Sequence, residues 1–182
     1  VPSPRLRGAG ADTDLLHRMM KFRSRDPEKL ARLFDYVRGV RPLLIVIDTL
    51  SAYMGSGRDM NRQNEVGEFM GQLSEIAEEI GCGVLALGHL NKQTNEHPLF
   101  RIVGSIGFAA SIRSALFLGN DPNNRDRLAL AHGKANGTPK ERTIAFDRVG
   151  GGKDRVPTLQ ATGFIDADES DVCRVEKRDV GR

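Results

Sequence analysis

The sequence predicts an α/β fold: a mostly parallel sheet flanked by helices, with an antiparallel hairpin at one edge. Three observations predict it. Two short apolar runs end abruptly in a polar residue, Leu43–Ile47 at Asp48-Thr49 and Gly83–Gly88 at His89. Runs of this length, rich in branched residues and bounded by turn signals, read as strands covered on both faces. Between them Val66, Phe69, Met70, Leu73, Ile76, Ala77 and Ile80 recur at helical spacing. Such a stripe is one face of an amphipathic helix, and strand, helix, strand makes a βαβ unit with a right-handed crossover. Later, Arg127–His132 and Arg142–Asp147 nearly alternate on either side of Lys134–Pro139, the pattern of an antiparallel hairpin.

The remaining elements follow in order. A short helix is expected around Leu6, before the loop Gly8–Gly10, in a basic opening with Arg5, Arg7, Arg18, Lys21, Arg23 and Arg25. Asp26-Pro27-Glu28 reads as an N-cap, a first-turn proline and an acid that suits the helix dipole. Leu30, Leu33, Phe34 and Val37 then keep helical spacing, and Gly39 is the expected stop. Gly81 is the expected cap of the long helix. Polar loops are expected over Met54–Asn64 and Asn91–Ser105, a short apolar helix over Phe108–Arg113, and a strand over Ala115–Leu118. The glycines Gly150–Gly152 suggest a boundary, giving a core over 1–149 and an edge segment and tail over 150–182.

A chain of 182 residues with 39% hydrophobic and 28% charged residues suits one core. No apolar run approaches the ~20 residues of a membrane span, so no membrane partner is expected. Cys82 and Cys173 stand far apart in no CxxC pattern, which gives neither a disulfide framework nor a zinc site and points to the cytoplasm. The net charge of +3 is compatible with a polyanionic partner without demanding one. The chain opens at Val1 with no methionine or hydrophobic leader, and reads as a fragment of something longer.

Asp48 and His89 stand at the carboxyl ends of neighbouring strands, where open α/β sheets bind ligands. On the residues alone Asp48 either meets a ligand or caps the next turn, and His89 is either a ligand contact or a satisfied strand-end histidine.

Taken in order, Leu43–Leu50, a helix, Gly88-His89-Leu90-Asn91-Lys92 and Arg101–Phe108 resemble the RecA-like ATPases. More closely, they resemble the RepA-type hexameric helicases found beside primases in plasmids and phages. The resemblance runs from about Pro4 to Phe146 and implies a RecA-like P-loop NTPase core using ATP and Mg²⁺. It makes Asp48 the Walker B aspartate that holds Mg²⁺, with Thr49 beside it in the nucleotide site, and His89 the sensor of the γ-phosphate. It places the loops Met54–Gln63 and Asn91–Ser105 against single-stranded DNA. Arg58, Arg62, Lys92 and Arg101 would meet phosphates there, with Asn91, Gly104 and Ser105 in support and Tyr53 and Phe100 as the stacking candidates. Gly133–Gly137 resembles the hairpin that reaches a neighbouring subunit's nucleotide, with Lys134 as the trans finger and Arg113 or Arg101 as alternatives. Asn136 stands where a second basic residue is common. The implied partners are single-stranded DNA, further copies of the chain in a hexameric ring, and a primase.

One family feature is missing from the sequence. No G-x-x-x-x-G-K-[ST] precedes the Walker B strand, and Asp147–Asp154 only imitates one, with Asp147 for the first glycine and Asp154 for the hydroxyl. The resemblance therefore implies that the amino-terminal part, with its phosphate loop and catalytic glutamate, is absent and that this chain alone is inactive. The expected function is that of a fragment of an ATP-hydrolysing motor on single-stranded DNA, a replicative helicase or recombination-type ATPase of a mobile element. The alternative is a non-catalytic RecA-like oligomerising or DNA-binding module. No G-x-G-x-x-G opens a helix, which sets a dinucleotide enzyme aside.

Overall fold

A computed structural model describes residues 4–19, 27–50, 63–91, 97–102, 106–151 and 156–174. In chain order the elements are α1 (Pro4–Gly8), α2 (Pro27–Val40), β1 (Leu44–Asp48), α3 (Gln63–Ile80), β2 (Gly83–Leu87), α4 (Ile106–Ser111), β3 (Ser114–Asp121), β4 (Asn124–Ala135), β5 (Thr143–Val149), β6 (Thr158–Ile165) and α5 (Glu169–Val172). Short 3₁₀ turns occupy Thr13–Leu15 and Pro98–Arg101. The chain divides into two compact units, Lys21–Ile112 and a second made of Val1–Met20 with Arg113–Arg182.

In the first unit β1 and β2 pair in parallel, with Leu44 opposite Gly83 and Asp48 opposite Leu87. The βαβ unit expected from the two apolar runs is therefore present. Ile47, Leu50, Phe69, Met70, Leu73 and Phe108 form one buried cluster, with Phe34, Ile45, Ala86 and Ile112 against it. Val37, Ile76 and Ile80 form a second with Leu33 and Cys82. Each such side chain is worth about 1.5–3 kcal/mol when fully buried, so α2, α3 and α4 secure one face of the sheet. Burial also pushes the Cys82 thiol above its ordinary pKa.

The helix ends differ in how far the sequence anticipated them. Gly81 closes α3 with φ +71, and Cys82 N–H donates to the Ala77 carbonyl at 2.9 Å, a left-handed stop that glycine adopts freely. Gly39, however, lies inside α2. The stop is Arg41, with φ 51 and its N–H on the Val37 carbonyl at 2.8 Å. Pro42 explains the shift, because proline disfavours helical backbone at the residue before it. Asp26, expected as the N-cap, lies outside the described residues. Arg38 and Glu79 tie α2 to α3 by a two-point ion pair at 2.7 and 2.8 Å. That hydrogen bonding lowers the Glu79 carboxyl and raises the Arg38 guanidinium from their ordinary values.

Two expectations about the sheet need correction. The parallel part has two strands, and the larger sheet is antiparallel, in the order β3-β4-β5-β6. The strand around Ala115–Leu118 thus belongs to the antiparallel sheet. Asp121 pairs with Asn124 across the two-residue turn Pro122-Asn123, and the Asp121 carboxylate accepts the Asn123 N–H at 2.9 Å; so tight a turn returns the chain antiparallel to itself. The parallel strands, moreover, are not covered on both faces. Leu44, Val46, Leu85 and Leu87 remain 42–53% exposed.

In the second unit the stretch beyond residue 150 supplies β6, the edge strand, and α5. Ala129, Ala131 and Val172 form a buried cluster there. A side-chain carbon on Gly119 would lie 2.1 Å from the Val172 carbonyl oxygen, and one on Gly133 2.4 Å from the Phe117 ring. Both glycines are therefore required by close packing. Asp168 caps α5, accepting from Ser170 and Asp171 N–H at 2.8 and 2.9 Å, and buried Glu169 pairs with Lys140 at 2.9 Å.

Candidate nucleotide site

The parallel register decides the geometry of the first unit's polar end. Asp48 is the last residue of β1 and stands opposite Leu87, so His89 leaves the same end of the sheet two residues further on. Asp48 and His89 are both exposed, Thr49 is half-buried, and Leu50 is buried behind them. The Asp48–Thr49 peptide is cis. A carboxylate and an imidazole thus both stand at the carboxyl edge of the pair, the position at which α/β sheets take ligands.

Which group this end can hold follows from its donors. Mg²⁺ in phosphate sites is bound by one or two carboxylates, completed by waters and phosphate oxygens, so a single exposed Asp48 fits it. Among the described residues there is no cluster of three or more metal-ligating side chains, which is unlike a site that cages a cation with protein alone. An imidazole at His89 can donate to a phosphate oxygen.

The model of the AAA domain family matches residues 4–95, a span that contains α1 to β2 and both strand-end residues. The chain belongs to this AAA family. It is a P-loop ATPase domain of the RecA-like kind over that span, and ATP with Mg²⁺ is what such domains typically bind. No curated protein matches the chain. Within the AAA domain, Asp48 is the last residue of the hydrophobic strand β1.

The other expected residues fall in different places. Arg58, Arg62, Lys92, Gly104 and Ser105 lie outside the described residues, as does Tyr53. Asn91 is half-buried, and its N–H donates to the Arg101 carbonyl at 2.8 Å. Arg101 is 5% exposed, with Nη2 donating to the Asn91 carbonyl at 3.2 Å. Its guanidinium therefore clasps its own loop.

Arg113 and Lys134 come together in the second unit. Arg113 is exposed, and its carbonyl accepts the Asn136 N–H at 2.9 Å, while Lys134 pairs with Ala115. A bulge at Gly133 separates Lys134 from His132, and a bulge re-aims the residue that follows it. Both finger candidates thus share one end of the antiparallel sheet.

Sequence reasoning overlooked His132. Its Nδ1 accepts the Glu141 N–H at 3.1 Å, and its Nε2 lies 3.0 Å from Ser114 Oγ. A backbone donor on Nδ1 leaves the neutral ring's proton on Nε2, so the ring donates to Ser114 and is no base for it. The pair staples the start of β3 to the β4–β5 connection. Nothing in the spacing of Ser114, His132 and Glu141 signals this, because the bulge sets the register.

Proposed function

We propose that this AAA domain is the Walker B and sensor half of an ATP-driven motor on single-stranded DNA, of the ring-forming helicase or recombination type carried by mobile elements. The observation that carries the reading is the parallel pair β1–β2, with Asp48 and His89 at its carboxyl end and an open apolar face behind them. Parallel sheets are stable when both faces are covered. Leu44, Val46, Leu85 and Leu87 stay half exposed, and covering them gains several kcal/mol at about 25 cal/mol per Å². A preceding strand and helix carrying the phosphate loop satisfies that demand and supplies the part the sequence lacks.

In this reading Asp48 holds Mg²⁺, with Thr49 beside it. The ion, when bound, neutralises charge on the β- and γ-phosphates. His89 reads the γ-phosphate and sets the segment that follows it. Arg58 and Arg62 from the stretch Met54–Gln63, and Lys92 from the stretch Asn91–Ser105, meet DNA phosphates, with Asn91, Gly104 and Ser105 in support. Lys134, with Arg113 beside it, reaches the nucleotide of a neighbouring copy in a hexameric ring, for which a primase is a fitting partner. The second reading, a non-catalytic oligomerising or DNA-binding module, is favoured by the absence of G-x-x-x-x-G-K-[ST] from the 182 residues.

A labelled oligonucleotide titrated at several salt concentrations, with and without a non-hydrolysable nucleotide, tests the coupling in a chain that carries the phosphate loop. His89→Ala is expected to leave nucleotide binding intact while removing the nucleotide's effect on DNA affinity. Lys92→Ala is expected to lower the log–log salt slope by about 0.7. DNA binding that ignores nucleotide in the wild type defeats the motor reading and leaves the binding module.

A further inference from the structure

The connection between β4 and β5, residues 136–142, is exposed throughout and is held at its two ends. At one end the Asn136 N–H donates to the Arg113 carbonyl at 2.9 Å. At the other, Lys140 Nζ meets the Glu169 carboxylate at 2.9 Å, and the Glu141 N–H donates to His132 Nδ1 at 3.1 Å. Between these anchors the chain turns at Gly137, with φ +83. Among the described residues, neither the Asn136 carboxamide nor the Gly137 N–H has a hydrogen-bond partner.

An asparagine followed by glycine has chemistry of its own. A backbone nitrogen can attack the side-chain carbonyl of the asparagine before it, which is one reason asparagine is thermolabile. A side chain on the following residue crowds that nitrogen, whereas glycine has none and rotates freely into the geometry of attack. The space around Gly137 is open as well, since a side-chain carbon there would meet nothing within 4 Å. Asn136-Gly137 is the one Asn-Gly pair in the 182 residues. Asn124 is the contrast: Arg125 follows it inside β4, and its carboxamide oxygen accepts the Asp126 N–H at 3.1 Å.

We propose that Asn136 is a modification site that the chain converts unaided to aspartate and isoaspartate through a cyclic imide with Gly137. The Gly137 nitrogen gives its proton to solvent and bonds to the Asn136 side-chain carbonyl carbon. The bond from that carbon to the amide nitrogen breaks, and the nitrogen takes a proton and leaves as ammonia. Water then opens the imide at one of its two carbonyls, and nothing is oxidised or reduced. One opening gives aspartate. The other gives isoaspartate, which routes the main chain through the side chain and lengthens it by one carbon. Either product lowers the net charge of +3 by one. The change falls on the residue whose N–H ties Arg113 to the end of the strand that carries Lys134. The inference stands without the motor reading; where that reading holds, the new carboxylate is close in the chain to Lys134 and tied to Arg113.

The test ages the folded 182-residue chain at neutral and mildly alkaline pH, beside the same chain in denaturant, and compares tryptic digests with those of an unaged sample. The peptide 135–140 is expected to gain the mass by which an acid exceeds an amide, faster at the higher pH. It is also expected to accept a labelled methyl group from an isoaspartyl methyltransferase. The peptide 114–125, which carries Asn120, Asn123 and Asn124, is expected to keep its amides over the same time. The intact aged chain should elute earlier from a cation exchanger. Asn136→Gln should remove the gain in the peptide 135–140, because the longer side chain closes such a ring poorly. If that peptide keeps its amide in the folded chain, the inference is overturned; a gain in denaturant alone then shows that the hairpin withholds the amide. A gain without isoaspartate overturns the cyclic route, and an equal gain in the peptide 114–125 overturns the selection of Asn136.

Discussion

Asp48→Asn, in the chain joined to a phosphate loop, is expected to lose at least about 100-fold in ATP turnover with its fold intact. Asparagine keeps the volume and removes the charge. Metal stabilisation of developing phosphate charge is worth several kcal/mol, and each 1.36 kcal/mol is tenfold in rate. Asp48 is exposed at the end of β1, outside the buried clusters, so the melting temperature should stay within the range of an ordinary surface change, about 0.5 kcal/mol. Turnover and thermal melting measured together, at saturating and limiting Mg²⁺, check this. Unchanged turnover at limiting Mg²⁺ makes Asp48 a turn cap.

The largest effect on stability is expected at Gly119. An alanine methyl there would lie 2.1 Å from the Val172 carbonyl oxygen and 2.9 Å from its Cγ1. The nearest atom is backbone and has no rotamer to change, so α5 must leave the sheet and uncover the Ala129–Ala131–Val172 cluster. Overpacking of this kind costs about 3 kcal/mol, a fall of more than about 10 °C in a unit this small. Gly71→Ala is the contrast: Gly71 lies in α3, is exposed and has nothing within 4 Å of the added carbon. Alanine there should be neutral or stabilising by up to about 1 kcal/mol. Equal melting shifts for the two variants would contradict the packing at Gly119.

These two residues also mark what the sequence makes legible. The frame of the site was readable because two short apolar runs, Leu43–Ile47 and Gly83–Gly88, flank the 3- and 4-spaced stripe from Val66 to Ile80. That pattern fixes where Asp48 and His89 emerge. Gly81 was readable for a local reason, a left-handed stop. Arg41 was not, because a non-glycine residue seldom takes a positive φ, and neither was the parallel-to-antiparallel switch at β3, which the short turn Pro122-Asn123 decides. Gly119 gives no local signal, since the need for a bare backbone arises from α5, 50 residues away. β6 has little alternation to reveal it, as most of its residues are exposed. Arg101 was the subtlest case: a basic residue in a polar loop reads as a phosphate contact, and its inward turn follows from pairing between Asn91 and Arg101 that spacing does not encode.

The open face of β1–β2 and the absence of G-x-x-x-x-G-K-[ST] from the 182 residues converge on one measurement: Mg²⁺-dependent ATP turnover by the 182-residue chain, compared with the same chain fused to an amino-terminal strand and helix that carry a phosphate loop. The account predicts no turnover by the chain alone, because its sequence holds no G-x-x-x-x-G-K-[ST] to cradle the phosphates. It predicts turnover by the extended chain, together with protection of Leu44, Val46, Leu85 and Leu87 from solvent. Robust turnover by the 182 residues alone, or an extended chain that binds no nucleotide, would contradict it.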